Sequence, residues 1–282
     1  MNTPRRILLI CAGGRMGQAI VRLLANGSCP GLQLAAAIDG PGCPLLGRDA
    51  GTAAGAGELG VPIRADLAAA LAGHPEVAVD FSSPAATTAA ASPMASAGVP
   101  WVVGTTGLDD TARAAVTCAA KSIPVVLSAN MSLGINLLTA LVAQAARTLA
   151  GCGYDCEIIE RHHRRKKDAP SGTALELGAA AAQGLGWNLR ETAIHGRAGL
   201  TGPRPDKQIG FHAVRGGDFV GDHTVLFAAD GECLELGHRA TSRETFALGA
   251  LRAAAWLPGR APGLYGMRDG LGLQPGGAPW TA

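Results

Sequence analysis

Residues 6–24 read RILLICAGGRMGQAIVRLL, and this succession constrains the fold more than any other stretch. Arg6 to Ala12 is an unbroken apolar run of the kind shown by a strand buried on both faces, and it opens through glycines into a helical pattern. A strand, a glycine turn and a helix in immediate succession commit the N-terminal part to parallel strands covered by helices. The alternation continues. Leu32–Ile38, Val77–Ser83, Pro100–Val103 and Pro124–Leu127 read as further strands, while Leu67–Leu71, Thr87–Ala97 and Leu133–Leu149 read as helices. Residues 40–60 are glycine-rich without periodicity and read as a loop, with a short strand near Val61–Ile63. The fold class is therefore α/β, a Rossmann-type doubly wound parallel sheet.

Such a turn suits a dinucleotide, because glycines let the backbone approach a pyrophosphate at the helix N-terminus. An acid about 20 residues later, at the end of the second strand, accepts ribose hydroxyls. Gly14, Gly17 and Asp39 fit that plan. The first fingerprint glycine is replaced, by Cys11 or Ala12 depending on register, and a positive φ at Cys11 would be strained. Two later strands end in polar residues, Gly104, Thr105 and Thr106 in one case and Ser128, Ala129, Asn130 and Met131 in the other. Ligands of open parallel sheets bind beyond these carboxyl ends.

The pattern changes after residue 150. Gln208–Arg215, Phe219–Ala228 and Glu232–Ala240 read as strands separated by turn signals, hence a mainly antiparallel sheet in an inserted α+β domain. Thr241–Leu257 returns to helix, with Thr241 or Ser242 as cap followed by Glu244, and is expected to pack on the first domain. The boundaries expected are 1–130 plus 241–282 for a dinucleotide-binding domain and 131–240 for a substrate-binding and oligomerisation domain.

Between these parts lies EIIERHHRRKKDAPSGTA, residues 157–174. By itself HHRRKK describes a solvated face or a polyanion-binding patch. Two upstream glutamates and a Pro-Ser-Gly-Thr helix start directly downstream favour chemistry instead, since a helix N-terminus holds carboxylates or phosphates. Ser171, Gly172 and Thr173 would form the cradle, faced by His163 and Lys166. A net charge of +2 is too small to imply nucleic acid. Seven scattered cysteines, none at the two-residue spacing of a zinc site, imply free thiols, no metal and a cytoplasmic home. Neither a leader peptide nor a membrane-crossing apolar run is expected.

The segment EIIERHHRRKKDAPSGTA resembles the signature of the 4-hydroxy-tetrahydrodipicolinate reductase (dihydrodipicolinate reductase) family of lysine synthesis. The resemblance continues through GGRMG, DFSSP, VVGTTG, SANMSLGIN, AVRGGDFVGDHTV and SRETFALGALRAAAWL, in the family's order. It implies NAD(P)H-dependent reduction of 4-hydroxy-tetrahydrodipicolinate, with loss of water, to tetrahydrodipicolinate. It also implies a homotetramer assembled through the inserted domain's sheet. Carried onto this chain, it assigns His162 and Lys166 to acid catalysis, His163 to the substrate, and Gly172 with Thr173 to a substrate carboxylate. Cofactor contacts would run through Cys11, Ala12, Gly13, Gly14, Arg15, Met16, Asp39, Gly104, Thr105, Thr106, Ser128, Ala129, Asn130 and Met131. Gly40 stands where many relatives place an arginine, so a modest preference for NADH over NADPH is expected, with Arg15 or Arg48 as rival phosphate partners. The segment between His195 and Asp206 departs from the family pattern.

Overall fold

The computed structural model describes residues 3–272 of the 282. The chain divides into two compact units, Met1–Leu133 with Arg243–Ala282, and Gly134–Ser242. The last ten residues of the expected first domain lie outside the described residues.

The first unit is built on seven parallel strands: β1 (Arg5–Ile10), β2 (Leu32–Ile38), β3 (Ile63–Arg64), β4 (Val77–Asp80), β5 (Trp101–Val103), β6 (Pro124–Leu127) and β12 (Gly263–Tyr265). Their order is β12-β6-β5-β4-β1-β2-β3. The chain thus winds outward from β1 in one direction and from β4 in the other, leaving a switch point between them. Ile7, Leu8, Leu9, Val77, Ala78 and Val79 are fully buried, as strands covered on both faces require. Helices α1 (Arg15–Ala25), α2 (Ala50–Ala54), α3 (Leu67–Ala72), α4 (Pro84–Ala97), α5 (Asp110–Ala119), α9 (Glu244–Trp256) and α10 (Met267–Gly270) accompany these strands among the described residues of this unit. Helix α9 packs on α1 and against β4 and β5, as expected of the returning segment. Arg243 stands at its N-cap position, already in helical φ/ψ and with no cap bond from its own side chain.

The 40–60 stretch is more ordered than its composition suggests. Asp49 is the reason: its carboxylate accepts N–H bonds from Thr52, Leu59 and Val61, capping α2 and closing the loop on itself. Helix α5 and the edge strand β12 are further elements that apolar patterning did not reveal. Helix α5 starts on the Asp109 side chain, which accepts from Ala112 N–H.

The second unit holds α6 (Leu133–Leu149, which begins one residue before the unit boundary), β7 (Asp155–His162), α7 (Gly172–Leu185), α8 (Leu189–Thr192), β8 (Ala193–His195), β9 (Ile209–Arg215), β10 (Gly221–Ala229) and β11 (Glu232–Ala240). The sheet order is β11-β10-β7-β9-β8. The sheet is mixed: β10 pairs antiparallel with β11 and β7, whereas β9 pairs parallel with β7 and β8. Strand β7, two of whose neighbours come later in the chain, occupies the middle. Its core position follows from its alternation: Cys156, Ile158, Glu160 and His162 are buried, and the residues between them are not. Phe211 packs under α7 so closely that a Cβ at Gly178 would lie 2.4 Å from its ring.

Candidate active site

In the first unit β1 hands over to α1 through Cys11, whose φ of 66° lies in the left-handed region. A side chain there costs about 1–2 kcal/mol. Ala12 N–H donates to Ile38 O at 3.0 Å and pins the turn to the end of β2. A Cβ at Gly17 would stand 2.2 Å from the Cys11 carbonyl oxygen, so only glycine lets α1 start this close to the strand. Gly14 is the N-cap of α1 and brings no side-chain cap, leaving the first backbone N–H groups of the helix for an anion. Asp39 braces the turn through Oδ2, which accepts from Gly13 N–H at 2.7 Å, while Oδ1 accepts from Gly40 N–H at 2.8 Å.

A cavity of about 430 Å³ opens beyond the carboxyl ends of the strands at the switch point. It is lined by Gly14, Arg15 and Met16 from the turn, Gly104 to Thr106 after β5, and Ala129 to Met131 after β6. Of the residues expected to hold a cofactor, Cys11, Ala12, Gly13, Asp39 and Ser128 do not line it. Cys11, Ala12 and Gly13 form the backbone turn, Asp39 braces that turn, and the Ser128 hydroxyl donates to Asn130 O at 2.8 Å, shaping the loop after β6. Phe81, Ser82 and Phe246 line the cavity and escaped sequence reasoning. The Phe81 ring lies where a Cβ at Gly104 would be, 2.3 Å away, which explains the glycine. Beneath the rim Asp80 is fully buried, and its carboxylate accepts from Ser82 N–H at 2.8 Å, Thr87 Oγ1 at 3.1 Å and Thr105 Oγ1 at 3.3 Å. Burial raises its pKa against the opposing pull of those bonds. The network fixes the ends of β4 and β5 and thereby the Thr105 loop. An uncapped helix start, close-approach glycines and an acid at the end of β2 fit a nicotinamide dinucleotide.

The second unit carries the other cluster, which centres on Glu160, 1% exposed. Its carboxylate accepts from His162 Nδ1 at 2.5 Å, Ser171 N–H at 3.0 Å, and Arg215 Nη1 and Nη2 at 2.7 and 2.6 Å. Burial alone would raise the pKa of Glu160, but the bonds from Arg215 and His162 outweigh it and hold the group below the usual carboxylate range. His162 is 8% exposed, and burial, with Lys166 and Arg215 adding to it, lowers its pKa against the pull of Glu160. Ser171 is the N-cap of α7: its hydroxyl accepts from Ala174 N–H at 3.1 Å and lies 3.1 Å from His223 Nε2. His223 is pushed to about 4, mainly by burial and next by His162, so it is neutral at pH 7.

Gly172 and Thr173 are the first two residues of α7, so the expected cradle is a true helix start. Lys166 Nζ pairs with Asp168 Oδ2 at 2.9 Å, and Arg215 Nη2 donates to Asp168 O at 2.7 Å, closing the basic loop on the Glu160 cluster. His163 N–H donates to Phe219 O at 2.9 Å, and its buried Nδ1 has no partner among the described residues. Arg164, Arg165 and Lys167 are exposed. The two glutamates divide. Glu157, on the opposite face of β7, binds Arg197, Arg204 and His212, and so anchors the segment that departs from the expected pattern.

Two family profiles cover the chain: "Dihydrodipicolinate reductase, N-terminus" matches residues 5–131 and "Dihydrodipicolinate reductase, C-terminus" matches 134–271. The chain belongs to the dihydrodipicolinate reductase family. It is 54% identical over 265 residues to the 4-hydroxy-tetrahydrodipicolinate reductase of Halorhodospira halophila, covering 94% of this chain and 98% of that one. With the 4-hydroxy-tetrahydrodipicolinate reductase of Anaeromyxobacter dehalogenans it shares 52% identity over 271 residues, 96% of this chain and 99% of the relative. The solved structure of a dipicolinate-bound dihydrodipicolinate reductase from Paenisporosarcina sp. TG-14 shares the fold, with a TM-score of 0.74 and 24% identity over 94% of this chain and 98% of that one.

For a dihydrodipicolinate reductase family member, the residues that sequence reasoning missed in the second unit are Arg215 and His223, and the role of Glu160. Glu160 was readable in principle. Strand periodicity of two puts Glu160 and His162 on one face and Glu157 on the other. Arg215 and His223 come from strands whose pairing with β7 no local pattern reveals.

Proposed function

We infer that this chain is an NAD(P)H-dependent reductase that converts 4-hydroxy-tetrahydrodipicolinate, with loss of water, to tetrahydrodipicolinate in lysine and diaminopimelate synthesis. The observation that carries the inference is the Glu160–His162 pair beside Lys166 and the α7 start, in a chain that matches the family over nearly its whole length. The first unit serves the cofactor, through the glycine turn, Asp39 and the loops after β4, β5 and β6. The reduced nicotinamide supplies the hydride when bound.

The second unit serves the substrate. Backbone N–H groups at Gly172 and Thr173 take one carboxylate, with Ser171 holding the helix start in shape. Lys166 supplies positive charge to the dicarboxylate, and the His163 ring hydrogen-bonds to it. Electron density builds up away from the attacked carbon as hydride arrives, and a proton must meet it there. His162, whose lowered pKa makes it a readier acid than a free imidazole, delivers that proton, and Lys166 assists. The arrangement acts on developing charge, which is what lowers a barrier.

NADH is the preferred donor in this proposal, with NADPH also used. Asp39 accepts ribose hydroxyls but repels a 2′-phosphate, and Gly40 offers no compensating charge. The proposal includes assembly into a homotetramer through the β7–β11 sheet, supported by the face that carries Ile159, Val214 and Leu226, which are half-buried or exposed. Seven free thiols suit a reducing compartment, and the proposal places the enzyme in the cytoplasm. Among the described residues no helix is long and apolar enough to cross a membrane.

The test is a coupled assay. Freshly condensed aspartate semialdehyde and pyruvate are supplied with NADH or NADPH, and cofactor oxidation is followed. Rapid oxidation that requires the condensation product supports the proposal; oxidation no faster than in enzyme-free controls with both cofactors refutes it.

A further inference from the structure

We propose that Glu160 is a positioning residue that holds acid and cradle as one unit, fixing the ring and tautomer of His162 through one carboxylate oxygen and the start of α7 through the other. The inference rests on the reading of His162 as the acid and deepens it. Four N–H donors from three separate segments converge on this single buried carboxylate: His162 on its own strand β7, Ser171 at the head of α7, and Arg215 on β9 through two nitrogens. An ionised carboxylate only accepts, so Nδ1 of His162 must carry a proton. The reacting nitrogen is then Nε2. Gly221 of β10 leaves room beside it, since a Cβ there would lie 3.3 Å from Nε2.

A buried Glu–Arg pair that merely stabilised the sheet would have no need of the imidazole. Here the imidazole makes the shortest of the four contacts. The groups that set the charge on His162 face it from every side: Glu160 from β7, Lys166 from the following loop, Arg215 from β9 and His223 from β10, with ring centroids 5.1 Å apart. Of these only Glu160 is negative. Its removal therefore makes the imidazolium harder to form, and removal of Arg215 makes it easier. A carboxamide at position 160 would also present an N–H to Nδ1 and favour the opposite tautomer.

The experiment is nitrogen-15 NMR of the His162 ring, identified by its loss in His162→Asn, together with the pH dependence of kcat. In the parent, above the titration midpoint, Nδ1 should be the protonated nitrogen; a parent ring protonated at Nε2 instead overturns the proposal without any variant. In Glu160→Gln the midpoint should fall by about 1–3 pH units. The Nε2–H tautomer should appear, and kcat at neutral pH should drop by at least about tenfold with the alkaline limb of the kcat profile displaced in step. Arg215→Met should move the midpoint upward, which a general loss of folding would not do. Unchanged midpoint and tautomer in a folded Glu160→Gln sink the proposal. Should Glu160→Gln not fold, the Arg215→Met shift decides, and no shift or a downward one counts against it. An inactive parent would refute the proposed reaction, whereas the ring tautomer and midpoint are read without turnover and test Glu160 separately.

Discussion

Cys11 is where this chain departs most from what a glycine turn wants. Its left-handed φ is unfavourable for any side chain, and Asp39 and burial together push the thiol up to about 11, burial contributing most. Relief of strain by Cys11→Gly, of about 1–2 kcal/mol, is offset in part by the added freedom of the unfolded chain, about 0.4–1 kcal/mol. Thermal unfolding of Cys11→Gly should therefore occur at or slightly above the parent temperature, with cofactor KM preserved. The same thiol should resist alkylation at pH 8, while exposed Cys118, Cys152 and Cys233 react first, as peptide mass spectrometry would show. At Asp39 the neighbouring Gly40 has no atom within 4 Å of its would-be Cβ, so an arginine fits there without collision. Gly40→Arg should shift the ratio of kcat/KM values toward NADPH at low ionic strength, where screening is least. A parent that already favours NADPH tenfold would turn attention to Arg15. For the acid, His162→Asn and Lys166→Met should each lower kcat by roughly 10²–10⁴-fold. Saturating-substrate rates within about a factor of two of the parent would remove that residue from the mechanism.

At the scale of elements, the start of α7 is the part whose geometry most resembles its sequence reading. Ser171 caps the helix, and its hydroxyl also meets His223 Nε2, so Ser171→Ala loses a cap and leaves a buried ring nitrogen without its partner. A loss of about 1–3 kcal/mol in chemical denaturation is expected. Thr173→Val and His163→Gln should instead raise KM more than they lower kcat, and a planar pyridine dicarboxylate should compete with substrate. Equal inhibition of both variants and the parent would show the cradle to be misplaced. The helix start was legible because Pro170, Ser171 and Gly172 are local signals. So were β1, β2, α6 and the glycine turn, each of which announces itself by periodicity or by apolar continuity. The placement of β9 was not legible: hydrophobic alternation says which face of a strand is buried and nothing about which strand lies beside it. Helix α2 was hidden because its order depends on Asp49 reaching residues up to twelve positions away. For the same reason Arg215, more than fifty residues from Glu160, carried no sequence signal.

For the molecule as a whole, acid tolerance of the second unit should depend on Glu157. Burial works to raise its pKa, but Arg197, Arg204 and His212 prevail and bring it to about 2, below its ordinary 4.5. A group depressed on folding contributes stability above its unfolded pKa and loses it as pH falls through the folded value. Stability should then decline between about pH 4.5 and 2, and Glu157→Gln should flatten that part of the curve. Activity has the opposite sign, since His162 must be protonated to deliver its proton: kcat should fall as pH rises through a midpoint below 6.5. Both the cofactor loops and the substrate cradle answer to one claim, that hydride passes directly from a reduced nicotinamide to the cyclic dicarboxylate. The most direct test is to supply the enzyme with NADH bearing deuterium at the transferable position of C4 and to weigh the product by mass spectrometry. One deuterium retained in tetrahydrodipicolinate, with none acquired at that carbon from deuterated solvent when ordinary NADH is used, is the predicted result. A product that takes its new carbon-bound hydrogens from solvent alone would contradict it.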